Sequence, residues 1–171
     1  MVKSARYFST RWLLPFVLSF AALQGLWQLA RGGAVEFLVV HDLTVQPAVA
    51  LINWFTPEAH AVARRFSIEA TGGGLNILNG CEGLEALFLL LSGLLIAPLR
   101  WRARFLGLFF GFLFVFIINQ ARILLLFYVY RLDRSWFDPL HSLVLPLVVV
   151  ILVCVYFYGC LYLASNRCQS R

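Results

Sequence analysis

The apolar residues of this chain come in long, nearly uninterrupted runs. A helix needs about 20 apolar residues to cross about 30 Å of hydrocarbon. Runs at 12–30, 105–130 and 142–164 meet that requirement, and a shorter one meets it when it is taken as 83–99. The pattern therefore predicts an all-α polytopic membrane protein, in which a single domain (1–171) forms a four-span helical bundle.

The stretch 34–55 has the length of a fifth span but contains polar residues such as Glu36 and Asp42. If it does not cross, all three groups of basic residues lie on one side of the membrane. These groups come before the first span, between the second and third spans, and after the last span. The positive-inside rule makes that side the cytoplasm. We therefore expect both termini inside, residues 31–82 outside, and 34–55 as an interfacial or re-entrant helix. The basic residues in question are Lys3, Arg6, Arg11, Arg100, Arg102, Arg104, Arg167 and Arg171.

Composition supports the membrane interpretation. The chain is 61% hydrophobic and only 13% charged, which excludes a soluble globule and a disordered chain. Its net charge of +6 could indicate nucleic acid, but the basic residues lie between apolar runs and form no stripe with interleaved aromatics. We therefore expect the lipid bilayer, and not nucleic acid, as the partner of this basic chain.

One outer segment has the pattern of a β-hairpin. Residues 66–70 alternate between apolar and polar, Thr71-Gly-Gly-Gly interrupts them, and residues 75–79 resume before Gly80. Alternation on both sides of a glycine-rich turn is typical of two paired strands. A short β-hairpin is therefore expected on the outer side.

The first candidate for chemistry is Cys81. It lies between Gly80 and Gly83, just before the second span. Cys154 and Cys160 fall within the last span and Cys168 on the inner side, so Cys81 alone would face the oxidising compartment without a partner. A small buried residue that happens to be Cys is the ordinary explanation. The flanking glycines favour a reactive thiol instead, because they let backbone approach a reacting group closely.

Two further candidates are Arg122 and His141. Arg122 lies 17 residues after Phe105, about 25 Å along the third span, and therefore near its outer end. Asn119, three residues earlier, shares its helical face and would extend a polar patch inside the bundle. The alternative is that Arg122 points outward and snorkels to the lipid headgroups.

His141 opens the last span, so adjacent helices could bring Cys81, Arg122 and His141 together at their outer ends.

Cys, His and Arg in one pocket suit acyl transfer through a thioester. His141 can accept the thiol proton and return it to a leaving amine, and Arg122 can stabilise an oxyanion. Glu82 and Glu85 would raise the pKa of Cys81 unless the cations offset them, and we expect Glu85 to pair with Arg122 or orient it. The spacing of Cys and His matches no zinc or haem site, so neither a metal nor another cofactor is expected.

This combination resembles the exosortase/archaeosortase family of membrane transpeptidases. The resemblance rests on a Cys followed by a small-residue turn at the start of a span, an N-x-x-R late in the next span, and a single His opening the last one. The short length and the N-G-C-x-G-L-E-A stretch look most like the compact bacterial exosortase H subgroup. The similarity covers roughly residues 65–160. Glu82 departs from it, since members more often have a small or neutral residue there.

The resemblance implies that Cys81 is the nucleophile, His141 the general base or acid, and Arg122 the stabilising third member. It also implies exported protein substrates with a C-terminal sorting signal, which consists of a short motif, a membrane helix and a basic tail. Cleavage would take place at the periplasmic face of the bacterial inner membrane, and residues 31–82 would be periplasmic. The recognition motif and the acceptor stay open.

Two other functions are compatible with the sequence. In one, the chain is a non-catalytic membrane subunit or assembly factor, Cys81 is incidental, and Arg122 pairs with Glu85 to lock helices together. In the other, a membrane thiol acyltransferase or hydrolase acts on lipid with the same Cys81, Arg122 and His141.

Overall fold

A computed structural model describes residues 12–77 and 80–169, with side chains described as far as Asn166. The first four helices are α1 (Leu13–Ala30), α2 (Ala34–Phe55), α3 (Leu84–Ile96) and α4 (Trp101–Leu132). The last, α5, begins with the 3-10 turn Arg134–Trp136 and the short α-helical turn Phe137–Pro139. It continues through the π-helical Leu140–Val144 into the long α-helix Leu145–Gln169.

Four of these helices, α1, α2, α4 and α5, are long and apolar enough to cross a membrane. This set differs from the predicted spans, because α2 is included and α3 is not. The 13 residues of α3 rise about 20 Å, less than the predicted 83–99 would. Gly83 has a left-handed φ of 77°, so the helix begins only after it. Ala97 leaves the helical conformation, with a ψ of 141°, and Pro98 follows it, so the helix ends there.

The bundle is built around α3, which contacts α1, α4 and α5, and α4 also contacts α5. Small residues on α4 let α3 approach closely, as is common between membrane helices. A Cβ added at Gly111, for instance, would lie 2.7 Å from Leu90 Cδ2. The buried core between α3, α4 and α5 comprises Ala86, Leu90, Leu94, Val115, Val149 and Val153.

Helix α2 lies against the C-terminal half of α4. Gln120 Nε2 donates to the Thr44 carbonyl over 3.3 Å, and the Thr56 and Tyr128 hydroxyls are 2.9 Å apart. The segment Phe37–Val45 of α2 is π-helical. These contacts involve the half of α4 that carries Arg122, whereas Arg100 and Arg102 lie at its opposite end. That α2 is an interfacial or re-entrant helix, and not a fifth span, stays a prediction.

A small antiparallel sheet covers the same end of α4. It consists of β1 (Val62–Arg64), β2 (Ser67–Glu69) and β3 (Leu75–Asn76), in the order β1-β2-β3. The predicted hairpin is confirmed as β2 and β3 for the residues described, and Leu78 and Asn79 lie outside them. The sequence analysis missed β1, which pairs with β2 over three residues.

Candidate active site

The structure brings the three sequence candidates together. Cys81 Sγ lies 2.9 Å from His141 Nε2, and Arg122 Nη2 lies 3.9 Å from the same sulfur. Cys81 is in the loop before α3, Arg122 is on α4, and His141 is in the π-helical part of α5. Three different elements therefore meet at one thiol, at what we call the site end of the bundle.

The loop that carries Cys81 is held by hydrogen bonds on both sides of it. Arg122 Nη1 donates to the Gly80 carbonyl over 3.1 Å, and the Gly80 N–H donates to Glu82 Oε2 over 2.5 Å. Gly80 has a φ of 91°, a conformation that L side chains rarely adopt. Arg122 thus has two tasks, because one nitrogen binds the loop backbone and the other faces the sulfur.

Asn119 fixes the other end of this loop by packing. Asn119 is 4% exposed, and a Cβ added at Gly83 would lie 2.8 Å from its Cγ. Only glycine therefore fits at the residue that joins the loop to α3. Asn119 Oδ1 has no hydrogen-bond partner among the residues that the structure describes, so the side chain contributes here by its shape.

An aromatic ring orients His141. Phe137, one turn earlier on α5, stacks on the imidazole with ring centroids 5.4 Å apart and an angle of 14° between the planes. Tyr130 of α4 meets Phe137 edge-on, with ring centroids 5.4 Å apart. The sequence analysis did not identify Phe137, although its position four residues before His141 is the spacing at which helical side chains stack.

The thiol opens into a cavity of about 360 Å³ between α3 and α5. Its polar side chains are those of Cys81, Glu85, Arg122, His141 and Ser142. Pro146, Val149 and Val150 continue it along α5 as an apolar wall. A ligand in this cavity would contact the apolar wall along one portion and the sulfur, imidazole and guanidinium at the other.

Burial raises the pKa of the Cys81 thiol above its ordinary value. The Arg122 guanidinium acts in the opposite direction, while the Glu82 and Glu85 carboxylates raise this pKa further. The resting site therefore holds a neutral thiol near neutral pH. A base within hydrogen-bond reach is needed to generate the thiolate, and His141 Nε2 occupies that position.

The expected pairing of Glu85 with Arg122 is wrong. Ion pairs in the described part of the chain join His41 to Asp42 and Arg64 to Glu69, and Glu85 takes part in neither. The reason is geometric, because the guanidinium is directed to the Gly80 carbonyl and the sulfur. Glu85 is exposed in the first turn of α3 and lines the cavity separately.

Within residues 12–77 and 80–169, no group of three His, Cys, Asp or Glu side chains is arranged to hold a metal ion. Comparisons of the chain with protein-family models, curated proteins and solved structures give no match.

Proposed function

We propose that this protein is a membrane cysteine peptidase or transpeptidase. The proposal is that it cleaves the C-terminal sorting signal of exported proteins and transfers the remainder to an acceptor through a thioester. The observation that carries the proposal is the 2.9 Å contact of Cys81 Sγ with His141 Nε2, beside the Arg122 guanidinium. A nucleophile beside a proton acceptor suits acyl transfer, and a fixed cation can stabilise the oxyanion that forms.

Acylation begins when the Cys81 thiol proton moves to His141 Nε2 and Sγ bonds to the scissile carbonyl carbon. The carbonyl oxygen becomes an oxyanion, which the Arg122 guanidinium stabilises together with the nascent thiolate. The C–N bond then breaks, and the leaving amine takes the proton from His141. The products of this half-reaction are a Cys81 thioester and the released C-terminal segment.

Deacylation repeats these steps with an acceptor that carries a hydrogen on its nucleophilic atom. That atom attacks the thioester carbonyl while His141 takes the proton. The C–S bond breaks, and the sulfur recovers a proton from His141. Water as acceptor gives hydrolysis, and an amine or hydroxyl on another molecule gives transpeptidation or esterification.

The substrate class and location in this proposal come from the resemblance to exosortases. We propose substrates with a short motif, a membrane helix and a basic tail, and a site that faces the periplasm from the bacterial inner membrane. The apolar wall formed by Pro146, Val149 and Val150 supports this, because it continues from the thiol along a helix that can lie in the bilayer.

The test is coexpression with a candidate protein that carries such a C-terminal tail, followed by mass spectrometry of its new terminus. We expect the wild type to shorten the candidate, and Cys81→Ala and His141→Ala to leave it intact at equal membrane levels. Cys154→Ala is the matched control, since that thiol is exposed on α5 and lies outside the cavity. Processing by Cys81→Ala would overturn the proposal.

A further inference from the structure

The two carboxylates beside Cys81 lie on different sides of its loop. Glu82 binds the Gly80 N–H and lines a separate apolar crevice that is formed with α2. Glu85 lines the cavity that contains Cys81, Arg122 and His141. Its Oε1 lies 4.0 Å from the position that a Cβ on Gly80 would occupy, so the carboxylate is beside the residue that precedes the nucleophile.

Glu82 accepts a hydrogen bond from the loop backbone, whereas Glu85 accepts none from the residues that the structure describes. Glu85 has no cationic partner within ion-pair distance in the part of the chain that the structure describes. The α3 macrodipole favours an acidic residue in its first turn. That benefit is independent of whether the carboxylate faces the cavity, so it does not explain why Glu85 shares a pocket with the thiol.

A carboxylate in this cavity is unfavourable for the chemistry of the thiol, because it opposes ionisation of Cys81. Arg122 also lines this cavity, but its guanidinium is directed to the Gly80 carbonyl and the sulfur, so the charge of Glu85 is paired only when another cation enters. A ligand that carries a positive charge would therefore gain attraction to Glu85 and relieve the repulsion at the sulfur in one step.

We propose that Glu85 forms a cation subsite, which binds a primary ammonium or a guanidinium next to Cys81. The identity of the ligand rests on the proposed function. The cation belongs either to the acceptor that resolves the thioester or to a basic side chain of the substrate near the scissile bond. The subsite adds no covalent step to the reaction described above.

The subsite itself is tested without enzymatic turnover, in a chain whose only cysteine is Cys81. The probes are the cationic (2-trimethylammonium)ethyl and the anionic 2-sulfonatoethyl methanethiosulfonates, and the readout is the ratio of their reaction rates with Cys81. A change in the pKa of the thiol alters both rates equally and cancels in this ratio.

We expect Glu85→Gln to lower the cationic-to-anionic ratio about tenfold, because one lost charge slows one reagent and speeds the other. Glu85→Asp should keep most of the preference, since it retains the charge. The matched control is Glu58→Gln, which removes an exposed carboxylate outside the cavity. An unchanged ratio in Glu85→Gln, or an equal drop in Glu58→Gln, would overturn the subsite.

A second experiment identifies the source of the cation. The coexpressed candidate protein is processed with ethylenediamine, which carries ammonium groups, or with hydroxylamine, which is largely uncharged near neutral pH. Loss of transfer to ethylenediamine alone in Glu85→Gln assigns the cation to the acceptor. Slower cleavage with an unchanged product ratio assigns it to the substrate.

If Glu85→Gln changes neither cleavage nor transfer, the subsite has no part in the reaction and the proposal fails. If the wild type does not process the candidate at all, the proposed function fails instead. The thiosulfonate ratio still decides whether the cavity prefers cations, so the two failures are distinguishable.

Discussion

At the residue scale, the guanidinium of Arg122 connects the backbone of the Cys81 loop to the sulfur itself. Its Nη1 reaches the Gly80 carbonyl at 3.1 Å and its Nη2 lies 3.9 Å from Sγ. A lysine ammonium is a single point of charge and cannot occupy both positions. The consequence is that charge alone does not replace this side chain.

We therefore predict that Arg122→Lys is nearly as damaging to processing as Arg122→Ala. Loss of one hydrogen bond to a charged donor costs about 1.5–3 kcal/mol, which corresponds to roughly 10- to 160-fold in rate. The measurement is the initial rate of substrate shortening at matched membrane levels. A Lys variant with near wild-type rates would contradict the role assigned to the forked donor.

The protonation of Cys81 gives a second prediction at this scale. Because burial raises the pKa of this thiol, its alkylation by neutral iodoacetamide should still accelerate above pH 8.5, about the ordinary pKa of a thiol. Arg122→Gln removes the charge that lowers this pKa, so the rise should move to still higher pH. The measurement is the alkylation rate against pH, with Cys81 as the only cysteine.

Two outcomes would count against this account of the thiol. One is an alkylation rate that reaches its plateau below pH 8, as expected of a preformed thiolate. The other is an Arg122→Gln profile that coincides with that of the parent chain, because the guanidinium would then have no electrostatic effect on the sulfur.

At the scale of elements, the short loop before α3 depends on a glycine that joins it to the helix. Gly83 has a φ of 77°, and a Cβ there would lie within 3.0 Å of Asn119 side-chain atoms. A left-handed conformation costs a residue other than glycine about 1–3 kcal/mol. The loop geometry therefore depends on both the backbone conformation and the α4 side chain beneath it.

We predict that Gly83→Ala lowers the melting temperature of the detergent-solubilised protein and abolishes processing. Gly159→Ala is the control, because it lies within the α-helix of α5 and an added Cβ meets nothing within 4 Å, so it should lower neither the melting temperature nor processing. Adding Asn119→Ala to Gly83→Ala should recover part of the stability, since it removes the clash but not the strain. A Gly83→Ala protein as stable as the control would refute this account of the loop.

The parts of the site that the sequence predicted are those whose chemistry conflicts with an apolar background. Cys81, Arg122 and His141 could be found because each is a reactive or ionisable residue near the end of an apolar run. The different surroundings of Glu82 and Glu85 could not be predicted, because two carboxylates three residues apart look alike in the sequence. The structure shows that Glu82 binds the loop backbone and that Glu85 lines the cavity. Strand β1 has only three residues, too few for alternation to show.

At the scale of the whole molecule, the topology depends on how α2 lies relative to the bilayer. It is long and apolar enough to cross, yet its hydrogen bonds reach Gln120 and Tyr128, in the C-terminal half of α4. It also contacts β1, and Asn53 exchanges two hydrogen bonds with the backbone of Ala61, the residue before that strand. These contacts favour a helix that lies beside the site end over one that traverses the full bundle.

We therefore predict that both ends of α2 face the same compartment as the site. Single-cysteine variants Ala34→Cys and Glu58→Cys, both at exposed positions, should react with a membrane-impermeant maleimide applied to the side that the site is proposed to face. Arg102→Cys, at the opposite end of α4, should react only after the membrane is permeabilised. Protection of Ala34→Cys together with labelling of Glu58→Cys would mean that α2 crosses the bilayer.

The central claim is that Cys81 forms a covalent thioester with an exported protein. It is tested most directly by mass spectrometry of the Cys81 peptide after coexpression with a candidate that carries a C-terminal sorting tail. We predict an adduct on Cys81 that corresponds to the shortened candidate and is released by neutral hydroxylamine. An unmodified Cys81 in cells where the candidate is shortened, with the same shortening by Cys81→Ala, would contradict the account.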